Sequence, residues 1–236
     1  MKLFRSSSRA RILGKVRLPV GRVFRFVPAR TEQIRILPVS RAFGLDISDT
    51  SLEAVELRVR RGKPLLSAYS RVLLEPGVIA NGEIVYQEQL RAALKTLLKE
   101  ARPGLFSPKA VVSVPESKVY LYTFEFPLAL SQKKVREAIP YEVQGVLPIE
   151  LTDMVTDLLF HRSRAGTTQH VLFAAVPKRL AEQYRELLAS VGIEPVTFEV
   201  ESSAIVRSLV GVRSDPVLLL DVGAHRATLI VVESGE

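Results

Sequence analysis

The chain has 236 residues, of which 47% are hydrophobic and 25% charged, a composition typical of a globular protein with a sizeable core. It contains no cysteine, which excludes disulfides, a thiol nucleophile and thiolate metal sites. Its three histidines lack the i, i+4 spacing of a helical zinc site. No apolar run approaches the ~20 residues that a spanning helix needs, so we expect no integral membrane protein.

The net charge of +8 is concentrated at the N terminus. Residues 1–41 contain eleven Lys or Arg and one acidic residue, Glu32, for a net charge of +10, whereas the remaining residues sum to −2. Such an arm can bind an anionic membrane surface or nucleic acid through sequence-independent electrostatics. The alternative is a poorly ordered, solvated extension, because Pro19, Gly21 and Pro28 argue against one continuous amphipathic helix.

The first half of the globular part, which begins after Pro38, is predicted to be a meander followed by a helix. Apolar runs separated by turn residues predict three antiparallel strands at residues 42–47, 52–60 and 65–74. The helix is indicated by leucines that recur at i, i+4, i+7 and i+8, namely Leu90, Leu94, Leu97 and Leu98.

The second half is predicted to mix short strands and helices. Ser131 is the expected N-cap of a helix that Pro140 ends near residue 139, and Gly192 is the expected C-cap of a helix over residues 178–191. Strands are predicted at residues 110–114, 119–126, 155–160, 170–176 and 194–200, with a short helix at 202–209. The order indicates an α/β protein with an embedded α+β subdomain at residues 108–195.

Two stretches of the chain, residues 43–57 and 217–232, repeat one design. Each is an apolar run, a single Asp, a small-residue turn and a second apolar run, which predicts a β-hairpin with Asp46 or Asp221 at the end of its first strand. A carboxylate there costs free energy unless it faces a ligand, a metal or a hydrogen-bond donor. We therefore expect the two hairpins to face one cleft that could hold a phosphate chain, the alternative being that each Asp only caps its turn.

Short motifs in a fixed order carry a family resemblance: 44-GLDI-47, 54-AVEL-57, 112-VSVP-115, 174-AAVPK-178, 192-GIEP-195 and 221-DVGA-224. With them, residues 42–236 resemble the actin-like ATPase superfamily, and within it the PilM family of type IV pilus assembly proteins, a relative of FtsA. The resemblance implies an actin-like (ribonuclease H-like) fold whose second lobe is largely missing. The expected parts are residues 1–41, 42–107, 108–195 and 196–236, the third being the partner-binding insert.

The resemblance also implies a site for ATP and Mg²⁺, in which Asp46 and Asp221 would orient the hydrated cation and Glu201 would position the attacking water. The two phosphate loops would be lined by Ser48, Thr50 and Ser51 in the first and by Gly223, Ala224 and Thr228 in the second. Two departures weaken this expectation, since Ser48 replaces a common Gly and Glu53 replaces a common phosphate-binding Lys. An anion in place of a cation near a triphosphate reverses a strong electrostatic contribution. We therefore expect weak or no nucleotide binding.

As a function, the resemblance implies a cytoplasmic scaffold of a type IV pilus or related secretion machine, peripheral at the inner membrane. The N-terminal tail of a PilN-like membrane protein would dock in a groove beside the insert. Candidate contacts are Tyr120, Tyr122, Phe124, Tyr141, Val146 and Leu147, each of which could instead belong to the core. Two alternatives remain open: an active ATPase completed by another polypeptide, and nucleic-acid or membrane-surface binding by residues 1–41. Self-association also remains open.

Overall fold

A computed structural model describes residues 42–61, 63–105, 107–162, 167–210, 215–223 and 226–232. The basic arm at residues 1–41 and the site candidate Ala224 lie outside these residues. Within the described part, no helix is long and apolar enough to cross a bilayer.

The described part contains twelve strands and four α-helices. In chain order they are β1 (Phe43–Ile47), β2 (Ser51–Arg60), β3 (Lys63–Leu73), β4 (Ile79–Ala80), β5 (Glu83–Ile84), α1 (Gln87–Glu100), β6 (Lys109–Val114), β7 (Tyr120–Pro127), α2 (Gln132–Val146), β8 (Met154–Arg162), β9 (Thr168–Pro177), α3 (Lys178–Ser190), β10 (Glu194–Val200), α4 (Glu201–Leu209), β11 (Val217–Val222) and β12 (Ala227–Val232).

The main sheet has five strands in the order β10-β6-β1-β2-β3. Strands β1, β2 and β3 form the predicted antiparallel meander, with Leu45 opposite Ala54. Strands β1, β6 and β10 are parallel, so that Val112 of β6 lies between Leu45 and Phe198. Parallel strands require long crossover connections, and the chain supplies two of them.

The largest core lies between this sheet and helices α1 and α3, which contact each other. Alternate residues of β1, Phe43, Leu45 and Ile47, are buried on this side, as expected for a strand with one covered face. Helix α1 contributes the predicted leucine stripe, and the sequence-predicted face of α3 is likewise buried. The helix residues in this core include Leu90, Leu94, Leu97, Leu180, Tyr184, Leu187 and Leu188.

A second, three-stranded sheet, in the order β7-β9-β8, packs against α2. The helix begins at the predicted N-cap, where the Ser131 hydroxyl accepts a hydrogen bond from the amide of Lys134 at 3.4 Å. The prediction that Pro140 ends the helix is wrong, because α2 continues to Val146. Pro140 is exposed, so water can hydrate the carbonyl that loses its partner, while Val135, Ile139 and Val143 keep the next turns packed on the sheet.

The expected insert at residues 108–195 does not coincide with the division between the two sheets. Strands β6 and β10, at its two ends, both pair within the five-stranded sheet, and α3 packs in the main core. The second sheet with α2 therefore occupies the part of the chain from β7 to β9. Strand pairing is a long-range property, so the apolar pattern of residues 110–114 could not indicate which sheet they join.

Helix α4 connects the main sheet to the last hairpin. Its Arg207 donates to the buried carboxylate of Glu199 on β10, with one contact at 2.6 Å, which fixes the helix to the strand. One face of the β11–β12 hairpin packs on α4 through Val206, Val210 and Val232. The opposite face is exposed along both strands, at Leu218, Leu220, Val222, Leu229 and Val231.

The C-terminus of α3 forms the predicted glycine cap. The amides of Gly192 and Ile193 donate to the carbonyls of Ala189 and Leu188 at 3.1 and 3.0 Å, which is the Schellman pattern. Gly192 has a φ of +83°, a backbone conformation that residues with a Cβ rarely adopt, although a Cβ there would meet nothing within 4 Å. The glycine is therefore required by the backbone conformation and not by space.

We predict that Gly192→Ala lowers the free energy of unfolding by about 1 kcal/mol, because it places a Cβ in the left-handed region. The matched control is Gly145→Ala, since Gly145 lies inside α2 and its added Cβ also meets nothing within 4 Å. That change should raise the free energy of unfolding by up to about 1 kcal/mol through helix propensity. Urea titrations of both variants measure the two changes in the free energy of unfolding. A destabilising Gly145→Ala or a neutral Gly192→Ala would contradict the assignment of Gly192 as a left-handed helix cap.

Candidate functional site

The carboxyl ends of the three parallel strands meet at one edge of the main sheet. Asp46 lies near the end of β1, Ser113 near the end of β6, and Glu201 directly after β10. The β11–β12 hairpin reaches the same edge, and together these elements form one cleft. Its lining residues are Asp46, Ile47, Ser48, Asp49, Thr50, Gly82, Ser113, Pro115, Glu201, Asp221, Gly223, Arg226 and Thr228.

Most of the sequence-predicted site residues therefore come together, although they are distant in the chain. The cleft contains both aspartates, Glu201 and, from the two predicted phosphate loops, Ser48, Thr50, Gly223 and Thr228. Ser51 is different: it is buried, does not line the cleft, and donates its hydroxyl to Glu53 at 3.3 Å. Strand alternation explains this, because Ser51 is the first residue of β2 and its side chain is directed into the turn.

The hydroxyl of Ser48 closes the first turn on itself. It accepts hydrogen bonds from the amides of Ser51 and Thr50, at 3.0 and 3.3 Å, and it contacts the Ser51 carbonyl at 3.1 Å. Backbone amides in such turns are the groups that cradle oxyanions. In this chain the serine oxygen occupies two of them, so the replacement of glycine by Ser48 has a direct structural consequence.

Asp49, which follows it, supports the site from one side. Its carboxylate accepts hydrogen bonds from the amides of Asn81 and Gly82, at 2.8 and 2.9 Å, in the turn between β4 and β5. The buried Tyr184 hydroxyl donates to the Gly82 carbonyl at 3.1 Å. A Cβ at Gly82 would meet Pro115 at 2.8 Å, so only glycine permits this close approach to the cleft wall. Asp49 is therefore a structural anchor as well as a lining residue.

Burial and acidic neighbours raise the pKa of two carboxyl groups that line the cleft. Burial is the main cause that raises the pKa of Asp46, and Glu53 and Asp221 add to it, while a hydrogen bond from Ser113 opposes it. The pKa of Glu201 rises from 4.5 to about 7, first because of burial and then because of its acidic neighbours, with Arg226 acting in the opposite direction. The cleft therefore contains more carboxyl groups than cations, and the one described cation that lines it, Arg226, offsets only part of their repulsion.

Glu116 is a further acidic residue that sequence reasoning missed. Its carboxylate accepts hydrogen bonds from the Ser202 amide, at 3.2 Å, and from the Ser202 hydroxyl. Burial raises its pKa, and these two hydrogen bonds act against that. Glu116 thus caps the first turn of α4 from a distant part of the chain and fixes the backbone next to Glu201. Glu116 follows the end of the strand predicted at residues 110–114, but its local sequence contains no motif that indicates this contact.

Glu53, the residue that replaces a common lysine, faces a cation after all. It lies opposite Arg71 in the β2–β3 pairing, and the two side chains form an ion pair at 3.0 Å. Both are partly exposed, so the pair contributes little to stability. The pair nevertheless keeps the positive charge of Arg71 next to the Glu53 carboxylate, which moderates the repulsion expected from the sequence.

The donor set of the cleft suits a hydrated cation better than a phosphate chain. Its charged lining residues among those described are Asp46, Asp49, Glu201 and Asp221 against Arg226, and their oxygens are the ligands that Mg²⁺ prefers. No group of three acidic or histidine residues in the described ranges is close enough to hold a metal ion directly. Asp46 and Asp221 therefore fit the role of orienting a cation through its waters, while the closed first turn does not fit a phosphate.

We predict that Glu201→Gln changes the pH dependence of stability. The folded-state pKa of about 7 lies above the ordinary 4.5, so the stabilisation from a protonated Glu201 is complete below about pH 4.5 and is lost as pH rises through 7. Glutamine does not titrate. The free energy of unfolding of the variant, minus that of the wild type, should thus rise by about 1–2 kcal/mol between acid and alkaline pH, after allowance for solvent screening.

Urea unfolding of both proteins on the two sides of neutrality measures this difference. The control is Glu100→Gln at the exposed end of α1, outside the cleft, and the Glu201→Gln difference should change more with pH than the difference measured for this control. A Glu201→Gln difference that does not change with pH would show that this carboxyl is not held in a raised-pKa environment.

A family model described as type IV pilus assembly protein PilM matches residues 44–236. The chain is similar to a solved structure titled PilM-PilN type IV pilus biogenesis complex, with a TM-score of 0.71 and 24% identity, over 84% of this chain and 59% of that chain. The chain thus spans about three-fifths of the length of that relative.

A second similar structure is titled as the cytoplasmic domain of EpsL, an inner membrane component of the type II secretion system of Vibrio cholerae. Its TM-score is 0.51 at 11% identity, over 81% of this chain and 70% of that chain. The two likenesses confirm the predicted actin-like α/β fold. Since the family model covers most of the sequence, the chain belongs to the PilM family of type IV pilus assembly proteins.

Proposed function

We propose that this protein is a cytoplasmic scaffold of type IV pilus assembly, which binds the N-terminal tail of a PilN-like protein of the inner membrane. Membership of the PilM family is the observation that carries the proposal. Further support comes from the similar structure whose title names a PilM-PilN complex, and from the relative titled as the cytoplasmic domain of an inner membrane component. Through this tail the protein would join the inner-membrane complex of the pilus.

The second sheet offers a surface for such a tail. Within the part of the chain that the structure describes, strand β7 pairs with β9 alone and is therefore an edge strand, to which an extended peptide can add. Tyr122 on β7 is 38% exposed, and on α2 Tyr141 and Val146 are 78% and 45% exposed. The other three candidates are less available. Phe124 is buried, and Tyr120 and Leu147 pack against the core beneath α2.

Tyr122 is the best-placed anchor among these residues. It lies on the same face of β7 as Phe124 and Phe126, which α2 covers, and its ring is 4.7 Å from that of Phe124. A tyrosine that is packed on one side and open on the other provides a rigid apolar contact with little loss of conformational entropy. The proposed docking surface therefore consists of the β7 edge, Tyr122 and the C-terminal part of α2.

We predict that Tyr122→Ser weakens binding of a PilN tail peptide about tenfold or more, as is usual for loss of an aromatic anchor. Fluorescence anisotropy with a labelled peptide, from the PilN protein of the same organism, measures the affinity. The matched control is Tyr86→Ser, because Tyr86 is similarly exposed but lies at the start of α1. Absence of peptide binding by the folded protein would overturn the proposed function, whereas equal effects of the two variants would overturn only the proposed surface.

A second candidate function, a nucleotide-binding or ATPase role completed by another polypeptide, is favoured by one observation. Asp46, Asp221 and Glu201 line a single cleft although they are far apart in the sequence. If Mg²⁺-ATP binds, the metal supplies charge neutralisation for the phosphates, while Asp46 and Asp221 orient it and Glu201 accepts a hydrogen bond from water. The closed first turn and the excess of carboxylates act against this role, and we expect weak binding by the natural sequence.

We predict that Ser48→Gly strengthens binding of a fluorescent ATP analogue in the presence of Mg²⁺ about tenfold. The change frees the amides of Thr50 and Ser51, and a hydrogen bond to a charged group contributes about 1.5–3 kcal/mol. In the Ser48→Gly background, Asp221→Asn should abolish the dependence on Mg²⁺. Binding that remains undetectable in both proteins would remove the nucleotide role and leave the scaffold role untouched.

A further inference from the structure

The far half of the β2–β3 hairpin extends beyond the rest of the main sheet. Among the described residues, strand β1 pairs with β2 only along Leu52–Val55, and from Glu56 to Arg60 strand β2 pairs with β3 alone. We call residues 57–61 and 63–66 the distal ribbon. A two-stranded ribbon without a third strand or a covering helix is marginal in water, so its surface chemistry is informative.

One face of the distal ribbon is apolar and exposed. Leu57 lies opposite Leu66, and Val59 lies opposite Pro64, so these four side chains project from the same face. The exposed fractions of Leu57, Val59 and Leu66 are 57%, 77% and 60%. Single exposed leucines are common on protein surfaces, but a contiguous exposed group of this kind marks an interaction surface.

The tip and the opposite face of the distal ribbon are cationic. Arg60 and Lys63 are directly paired across the strands, Arg61 follows in the turn, and all three are exposed. No acidic residue occurs in the sequence between positions 57 and 74, and Glu56, the last one before it, is only 2% exposed. The distal ribbon therefore combines an exposed apolar face with three exposed cations, Arg60, Arg61 and Lys63, in a stretch of sequence that contains no acidic residue.

This combination fits the interface of an anionic membrane. Apolar side chains enter the boundary between headgroups and acyl chains, while the stems of Lys and Arg extend along them and place the charges at lipid phosphates. A polynucleotide would be better served by aromatic side chains for stacking, and the ribbon presents leucine, valine and proline instead. An acidic partner would satisfy the cations but would leave the apolar face uncovered.

We propose that the distal ribbon is a membrane-contact site, which inserts Leu57, Val59 and Leu66 into the interface of a bilayer that contains anionic lipid and binds headgroup phosphates through Arg60, Arg61 and Lys63. The site belongs to a different sheet from the β7 edge, and its residues are distinct in sequence from the basic arm at residues 1–41. It does not depend on PilN binding, and it would hold the main sheet at a fixed orientation to the membrane surface.

Co-sedimentation of the full chain with vesicles tests the charge component. The vesicles contain either phosphatidylglycerol mixed with phosphatidylcholine or phosphatidylcholine alone. The double variant Arg60→Gln, Lys63→Gln should bind the anionic vesicles about 25-fold more weakly, because each cation at the surface contributes about fivefold. The matched control, Lys95→Gln with Lys99→Gln, removes two exposed lysines from α1 and should change binding less than twofold if the contact is local.

A second variant tests the apolar component of membrane binding. It is needed because salt weakens binding through the cations of the basic arm and through those of the distal ribbon alike. Val59→Thr with Leu66→Gln changes two exposed side chains and should leave the fold intact. It is expected to abolish the part of the binding to anionic vesicles that survives high salt, while low-salt binding persists through the cations. All variants are made in the full chain, so the contribution of the arm is the same in each.

Three results would overturn the proposal. The first is vesicle binding that is unchanged in both ribbon variants. The second is a loss of duplex DNA binding in the charge variant without a loss of vesicle binding. The third is a change in oligomeric state of the apolar variant, by analytical ultracentrifugation, with unchanged vesicle binding, which would assign the apolar face to a second copy of the chain. Affinity for the PilN tail peptide should be the same in all variants, so failure here is distinguishable from failure of the scaffold function.

Discussion

The parallel pairing of β1, β6 and β10 is the constraint on which the rest of this structure depends. It aligns the carboxyl ends of three strands at one edge of the sheet, so that Asp46, Ser113 and Glu201 lie in one cleft. Each parallel step needs a crossover connection. The connection from β1 to β6 contains β2, β3 and α1. The connection from β6 to β10 contains the whole second sheet with α2 and α3. The candidate partner-binding unit is therefore part of a connection that the main sheet requires.

The oxygen ligands of the cleft suit a hydrated cation better than a phosphate chain. Burial raises the pKa of Asp46, Glu116 and Glu201, and the chain offsets this with neutral donors, Ser113 for Asp46 and Ser202 for Glu116. Hydroxyl donors reduce the cost of burying a carboxylate without adding the positive charge that a triphosphate needs. The Ser48 hydroxyl, in turn, occupies amides that an oxyanion would use. The proposed scaffold role needs none of these phosphate contacts.

Many helices and strands could be predicted from the sequence, because periodicity and capping residues act within a single element. Periodicity placed the helices and strands, the Ser131 hydroxyl identified the start of α2, and Gly192 identified the end of α3. Pro140 misled because the cost of a proline depends on whether its side of the helix faces water, which is a property of packing. The two Asp hairpins were recognisable as a repeated pattern, whereas Glu116 and Arg226 stood in no pattern of their own and acquire their relation to the site only through neighbours from distant segments.

By itself the sequence determined most of the secondary structure, though not the end of α2 or the short strands β4 and β5. It also determined both hairpins and the aspartates near the ends of their first strands, since these depend on side-chain periodicity and turn chemistry within a few residues. The tertiary structure alone decided that β6 and β10 join the main sheet, that Ser51 is directed away from the cleft, and that Glu116 caps α4. It also decided that Leu57, Val59 and Leu66 remain exposed. Each of these depends on which segments pair over long separations, and the free energy of such pairing is set by the whole packed arrangement and not by any one stretch of chain.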